Sequence, residues 1–406
     1  MAPGPGTNQN AQVDQQDEPV LATDEIQSVE RILSETWDEP STLRSAEPVW
    51  GRRHVVRVVT TSGQAAFVKR PRKPRDVERD ENNFAADWSA LAFLSDAPGA
   101  PVPRVLGGDW PRRLLVIEEL PPGRSLAESL LGDDPWAAGN DLVAYAEALA
   151  RTHLWSLERL EEYKDARAAR GLADQPLCGW AHTVDQENQA AFTAVIRELG
   201  VADAELQAEL EAELEALYDW LFDGPFLGLV HGDPCPDNVR IVDGICRLFD
   251  FEVSGLGSIA LDTTYLRAPF PSCWCFGALP SDVADRAASA YEAVLVNGGV
   301  RLGAEWQDAT AAALALWVVA RWRMLRRALG EDWEWGTTTM RPRLVAWSRA
   351  ATRVSSTRFV RLGTVIGDLA DLCAERWPEA AIPQYPALAS GAPVAKRPVW
   401  FDDSRR

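Results

Sequence analysis

The chain has 406 residues, 46% hydrophobic and 25% charged, an ordinary globular composition that excludes wholesale disorder and fibrous classes. Sixty acidic against 41 basic residues leave a net charge of −19, which argues against general binding to a nucleic-acid backbone. The longest nearly pure apolar run, 309–320, is shorter than the ~20 residues that cross a bilayer, so no membrane partner is expected.

The start of the chain has neither the basic residues nor the apolar stretch of a secretory signal, and a cytoplasmic location is expected. Residues 1–24 are rich in Pro, Gly, Gln, Asn and Asp and read as a disordered tail; 389–406 reads as a second flexible tail, with Val399, Trp400 and Phe401 as its apolar exception. Six cysteines (178, 235, 246, 273, 275 and 373) are too sparse for a disulfide scaffold and lack paired zinc spacing. Cys273 and Cys275 flank Trp274, but buried free thiols are the expectation for all six.

In chain order, 55–68 is rich in β-branched residues broken at Thr61-Ser62-Gly63-Gln64, which predicts a hairpin with a second strand over 65–70. A helix follows, with Phe84, Trp88, Leu91 and Leu94 on one face before Pro98 and Gly99. A short apolar strand over 114–120 ends at Pro121-Pro122-Gly123. These elements predict a small β-rich first lobe over 25–118, closed by a break over 119–124. From 125 to 388 a larger lobe is mainly helical, with amphipathic stretches at 137–160, 186–222, 282–297, 305–329 and 341–377.

The β-rich interruption of that lobe, 226–252, carries the chemistry. Strands over 239–242 and 245–249 flank Asp243-Gly244, the two-residue turn that supplies the positive φ angles of a type I′ hairpin. Its register sets Val242 opposite Ile245 and Asn238 opposite Phe249, which makes Asn238 and Asp250 neighbours at the open end. An amide oxygen and a carboxylate there suit Mg²⁺, which takes hard oxygen ligands and leaves room for phosphate oxygens. Five residues before Asn238, in His231-Gly232-Asp233-Pro234-Cys235-Pro236, the Asp233 carboxylate is placed to take a proton from an attacking hydroxyl. His231 is the alternative base, though loop orientation by hydrogen bonds is its expected role.

His231-Gly232-Asp233, Asn238 and Asp250-Phe251-Glu252 together resemble the catalytic and metal-binding motifs of the aminoglycoside phosphotransferase family, the small-molecule kinases that include choline kinase relatives. Protein kinases are matched less well, since Gly232 stands where their Arg is usual and Glu252 where Gly follows Asp-Phe. The resemblance extends over roughly 40–380. It implies an α+β, protein-kinase-like two-lobe fold and an ATP- and Mg²⁺-dependent transfer of the γ-phosphoryl group to a hydroxyl of a small molecule, with GTP as the alternative nucleotide.

By the same resemblance Asp233 is the base, Asn238 and Asp250 hold the metal, Lys69 meets the phosphates, and the backbone at Glu118 to Leu120 holds adenine. Trp50-Gly51-Arg52-Arg53 is the candidate phosphate-covering turn, and Asp262 braces the catalytic loop. Asp87 takes the position from which the family's first helix presents a Glu to the strand lysine; Glu81 is its competitor for Lys69. For the acceptor, Glu331-Asp332-Trp333-Glu334-Trp335 alternates acids and indoles, and Glu331, Trp333, Glu334 and Trp335 are candidates to hold a cation by charge and cation–π contact. A pseudokinase that binds nucleotide without transfer is the rival reading, and the presence of Asp233, Asn238, Asp250 and Lys69 together counts against it.

Overall fold

The computed structural model describes residues 20–49, 52–72, 77–173, 186–201, 204–268, 270 and 272–389. Trp50 and Gly51 of the candidate phosphate-covering turn, Cys178, and most of both expected tails lie outside these residues. Contacts divide the chain into two units, Met1–Asp80 with Val105–Glu119, and Glu81–Arg104 with Leu120–Arg406.

In the smaller unit a helix, α1 (Thr23–Trp37), precedes β1 (Leu43–Val49), β2 (Arg52–Thr60) and β3 (Ala65–Lys69). The next helix, α2 (Val77–Ser95), passes almost wholly into the larger unit, and β4 (Val105–Asp109) and β5 (Leu114–Glu118) complete an antiparallel sheet of order β1-β2-β3-β5-β4. Alternation selects one face of that sheet for burial: Val56 and Val58, Ala66 and Val68, Leu114 and Val116. Val29, Ile32 and Leu33, at helical spacing on α1, pack into the same cluster. Leu21 joins them at 2% exposure, so packed chain begins before residue 24, earlier than the low apolar content of the segment predicts.

The expected β2–β3 hairpin forms with Val59 opposite Ala65 across residues 60–64. Helix α2 carries the expected stripe, but Ala85, Ala86, Asp87, Ser89 and Ala90 are buried as well. A helix covered on all sides belongs with its coverings, and these are in the larger unit: Ser89 Oγ donates to the carbonyl of Ala166, and Trp155 Nε1 to that of Phe93. The predicted N-lobe of 25–118 therefore loses most of this helix.

The larger unit opens with α3 (Leu126–Leu131), α4 (Pro135–Glu158) and α5 (Leu160–Ala168). Local sequence starts the first two: Ser125 and Glu128 form a capping box, and Asp134 accepts from the N–H groups of Trp136 and Ala137 ahead of a first-turn proline. Then follow α6 (Gln186–Glu198), α7 (Ala204–Phe222), β6 (Leu227–Val230), β7 (Val239–Val242), β8 (Ile245–Leu248), β9 (Gly255–Ser258) and α8 (Ala260–Arg267). Beyond lie α9 (Ser281–Asn297), α10 (Ala304–Val319), α11 (Trp322–Ala328), β10 (Glu334–Trp335), β11 (Thr338–Thr339), α12 (Met340–Ala351) and α13 (Val360–Arg376).

Three of the long predicted helices are broken in two. Gly200, at φ +73°, ends α6, Arg321 separates α10 from α11, and residues 352–359 separate α12 from α13. In the last gap the buried Asp308 of α10 accepts from Ser356 Oγ and the N–H of Thr357, a competing arrangement that helical periodicity does not reveal. The apolar run 309–320 lies mostly within α10, which is buried on all sides. Among the described residues no helix is long and apolar enough to cross a membrane.

Candidate active site

The β7–β8 hairpin has the register that its Asp-Gly turn dictates: Val239 faces Leu248, Val242 faces Ile245, and the N–H of Phe249 donates to the Asn238 carbonyl at 3.0 Å. Asp243 and Gly244 both have positive φ, 51° and 77°. The hairpin is stitched to the segment before α3 by paired hydrogen bonds between Arg124 and Ile241, and Arg240 donates to the Gly123 carbonyl.

The loop that enters β7 is fixed from several sides. Gly232 has φ +81°, and a Cβ there would lie 2.6 Å from the Val253 carbonyl oxygen, so the position where protein kinases carry Arg requires glycine. Asp262 on α8 accepts the N–H groups of His231 (2.7 Å) and Gly232 (3.0 Å), and its own orientation is held by His153 Nε2 at 3.0 Å. The Tyr145 hydroxyl donates to the Pro234 carbonyl, and the Ala127 N–H to that of Pro236.

His231 is completely buried, 3.2 Å from the Phe249 carbonyl through Nε2 and tilted against the Phe251 ring with centres 4.2 Å apart. Burial lowers its pKa, which keeps the ring neutral and suits a role in orienting the loop. Asp233 is partly exposed, and burial together with the charge of Asp237 raises its carboxyl to about 7. Asp250 and Glu252 push in the same direction, while a hydrogen bond from Tyr265 opposes them.

Asn238 Nδ2 donates to the backbone carbonyl of Asp233 at 2.9 Å, which commits the amide nitrogen to the loop and leaves the oxygen as the end that a cation would meet. Asp250 adopts φ +69°, a left-handed conformation that a non-glycine residue keeps at some cost and that marks functional positions. The next residue, Phe251, donates its N–H to Asp87 Oδ1 at 2.8 Å, so α2 is tied directly to the Asp250-Phe251-Glu252 turn. An amide oxygen and a carboxylate, both partly exposed, are a fitting hard-donor set for a divalent ion.

In the smaller unit Lys69 ends β3 opposite Val55 and Leu115, and Glu118 ends β5 opposite Ala66. Leu120 belongs to the larger unit, and Glu81 is exposed on the first turns of α2.

The expectation of six free thiols is corrected by a Cys235–Cys273 disulfide across 38 residues of chain. The turn after α8 returns to the catalytic loop and places the two sulfurs together, an effect of tertiary folding that the spacing conceals. Cys246, Cys275 and Cys373 are buried free thiols, as expected.

The acidic Trp segment is divided by the structure. Glu331 pairs with Arg327 at 3.1 Å, and the same guanidinium lies 4.1 Å from the centre of the Trp333 ring, so the chain supplies its own cation there. Glu334 and Trp335 are exposed on the β10–β11 hairpin. Trp335 Nε1 donates to the Ser272 carbonyl, two residues of contact away from Asp233 through Tyr265. Gly336, at φ +63°, permits the hairpin to approach the Trp274 carbonyl, where any Cβ would collide. Trp274 in turn donates its indole N–H to Asp237 at 3.0 Å.

Tyr265, Ser272, Trp274, Asp237 and the disulfide are site features that sequence reasoning missed. Tyr265 left one signal, its position three residues after Asp262 and hence on the same face of α8.

A five-stranded antiparallel sheet in one unit and a mainly helical second unit that carries the loop and the hairpin have the α+β, protein-kinase-like architecture expected from the sequence. The family model described as the phosphotransferase enzyme family matches residues 45–295, and the chain belongs to that family. Membership of that family makes it a phosphotransferase enzyme. A search of curated proteins finds no match. Similar solved structures include an aminoglycoside phosphotransferase from Alicyclobacillus acidocaldarius, 15% identical over 89% of this chain and 98% of that one, with a TM-score of 0.47. A macrolide 2′-phosphotransferase from Brachybacterium faecium is 17% identical over 80% and 98%, TM-score 0.42. A choline/ethanolamine kinase family protein from Mesorhizobium loti is 15% identical over 79% and 92%, TM-score 0.37.

Proposed function

We propose that the protein transfers the γ-phosphoryl group of ATP, with Mg²⁺, to a hydroxyl of a small, positively charged acceptor in the cytoplasm. The observation that carries this reading is the hydrogen-bonded unit of Asp233, Asn238 and the β7–β8 hairpin, which sets a potential base, an amide oxygen and the Asp250 carboxylate on one short stretch of chain.

Asp233 takes the proton of the acceptor hydroxyl as that oxygen attacks phosphorus. Its raised pKa suits that task, since a base near neutrality holds the proton it removes. Asn238 and Asp250 hold the divalent ion, which when bound neutralises charge on the β- and γ-phosphate oxygens. Lys69 meets the phosphates, the backbone around Glu118 and Leu120 receives the adenine, and Asp87 supports the nucleotide side by fixing the turn after Asp250. The cationic character of the acceptor is suggested by the carboxylates of Asp237 and Glu252, whose charges act on Asp233, with Trp335 and Glu334 on the adjoining hairpin as further contacts.

The test is a panel of aminoglycosides, amino alcohols, sugars and nucleosides, each offered with ATP or GTP and with Mg²⁺ or EDTA. Nucleotide- and metal-dependent phosphorylation of a cationic hydroxylated compound supports the reading. Transfer in EDTA, or to neutral acceptors alone, contradicts its metal or its charge component.

A further inference from the structure

Asp262 and Tyr265 lie one helical turn apart on the buried face of α8 and grip the same loop in different ways. Asp262 takes the backbone N–H groups of His231 and Gly232, whereas the Tyr265 hydroxyl reaches the Asp233 side chain and donates to Oδ1 at 3.1 Å. The first contact fixes where the loop runs. The second acts on the reacting group itself.

The phenol is well anchored. Tyr265 is 1% exposed, its ring meets Trp317 edge-on at 5.5 Å, and Trp317 is capped by the Arg321 guanidinium at 4.5 Å. Ser272 Oγ lies 2.8 Å from the Tyr265 hydroxyl. A phenol has one proton; given to Asp233, it leaves the Tyr265 oxygen to accept from Ser272, so the three groups form a directed chain. Ser272 adjoins Cys273, and the Cys235–Cys273 bond fastens that end of the chain to the catalytic loop. Burial and the neighbouring Asp233 charge raise the Tyr265 pKa well above that of an ordinary phenol, which keeps the donor proton in place.

Among the described residues the side-chain contacts of Asp233 are made through one oxygen. Oδ1 receives the Tyr265 hydroxyl and also touches Cys235 Sγ at 3.1 Å. A carboxylate held by one oxygen presents the other in a fixed direction. Resting on the role assigned to Asp233 above, we propose that Tyr265 is a positioning residue whose hydroxyl holds Oδ1 of Asp233 so that Oδ2 takes the acceptor proton. Ser272 supports it at one remove. A phenol that needed only a partner for its buried hydroxyl has Ser272 available; its proton is directed instead at the carboxylate.

The experiment uses hydrolysis of MgATP by the full chain, with water as the acceptor, followed by phosphate release at one pH. Tyr265→Phe, Ser272→Ala, Asp233→Asn and the Tyr265→Phe/Asp233→Asn double variant are compared for kcat, KM for MgATP and Tm. Tyr265→Phe should lower kcat by roughly 10- to 100-fold, the scale of loss for a misaligned base, with KM within about twofold. Ser272→Ala should lower kcat by less, again at constant KM. In the Asp233→Asn background Tyr265→Phe should change the residual rate by less than about twofold, because the group it positions is gone.

An unchanged kcat in Tyr265→Phe overturns the proposal, as does an equal loss in the Asp233→Asn background or a fall in kcat that tracks KM and Tm. If Tyr265→Phe does not fold, Ser272→Ala decides: a loss of kcat at constant KM supports the proposal and wild-type kcat overturns it. Hydrolysis by Asp233→Asn at the wild-type rate is a separate failure, that of the base assignment underneath.

Discussion

The carboxylate of Asp87, buried in the middle of α2, accepts the N–H of Phe251 at 2.8 Å across 164 residues of chain. The sequence sets Asp87 within an apolar stripe and therefore demands a partner, and it names a lysine as the expected one; the backbone amide after Asp250 is a partner it does not announce. Asp87→Ala should leave that buried amide without an acceptor and lower stability by roughly 1–3 kcal/mol. Asp87→Asn retains an oxygen and should recover most of the loss. Urea unfolding of the two variants beside the wild type checks both, and equal stability of all three would remove Asp87 from this role.

The Cys235–Cys273 bond closes a 38-residue loop, for which chain-entropy arguments give a stabilisation of about 4 kcal/mol, with measured values for such bonds usually about 2–4. Cys235→Ser with Cys273→Ser should lose an amount in that range in denaturant titration under oxidising conditions. Under strong reductant the gap to the wild type should close. A gap that persists in reductant would assign the loss to packing of the sulfurs instead of the bond.

Burial and the Asp237 charge raise the Asp233 carboxyl from 3.8 to about 7, so between about pH 4 and 7 the folded protein holds a proton that the unfolded chain has released. Stability of the metal-free protein should therefore fall as pH rises through this window, on the order of 4 kcal/mol in all. Asp233→Asn lacks the titrating group. In EDTA it should match the wild type near pH 4 and exceed it at pH 8, as read by urea unfolding at each pH. A constant difference across the range would show that Asp233 does not titrate there.

The division of the acidic Trp segment gives opposite expectations for its members. Glu331→Gln should leave acceptor KM unchanged, because Glu331 is engaged by Arg327 on an exposed helix end. Trp335→Ala should raise acceptor KM by roughly tenfold with KM for ATP unaltered, since its indole is exposed beside Ser272. Steady-state kinetics with any acceptor found in the panel separates the two.

Legibility in the sequence followed the range of the interactions. The β7–β8 register was readable residue by residue because Asp243-Gly244 fixes a two-residue turn and everything after it alternates. The β2–β3 hairpin and the α2 stripe were readable for the same local reasons. Strands β1 and β4 were not: Leu43–Val49 carries Arg, Glu and Pro at exposed positions that break the alternation, and Val105–Asp109 carries Gly107 and Gly108. Both owe their conformation to the sheet they join. The same applies within the site. Asp233, Asn238 and Asp250 lie within one short segment, whereas Tyr265, Ser272 and Cys273 reach Asp233 only because α8 and the turn after it fold back onto the loop.

The most direct measurement is transfer of phosphoryl from MgATP to the acceptors of the panel by wild type and Asp233→Asn, alongside equilibrium binding of MgATP to each. The account predicts that the variant loses turnover by roughly 10²- to 10⁴-fold, the range for removal of a general base, while its MgATP affinity stays within about threefold of the wild type. Transfer by Asp233→Asn at the wild-type rate would contradict the assignment of this residue as the base.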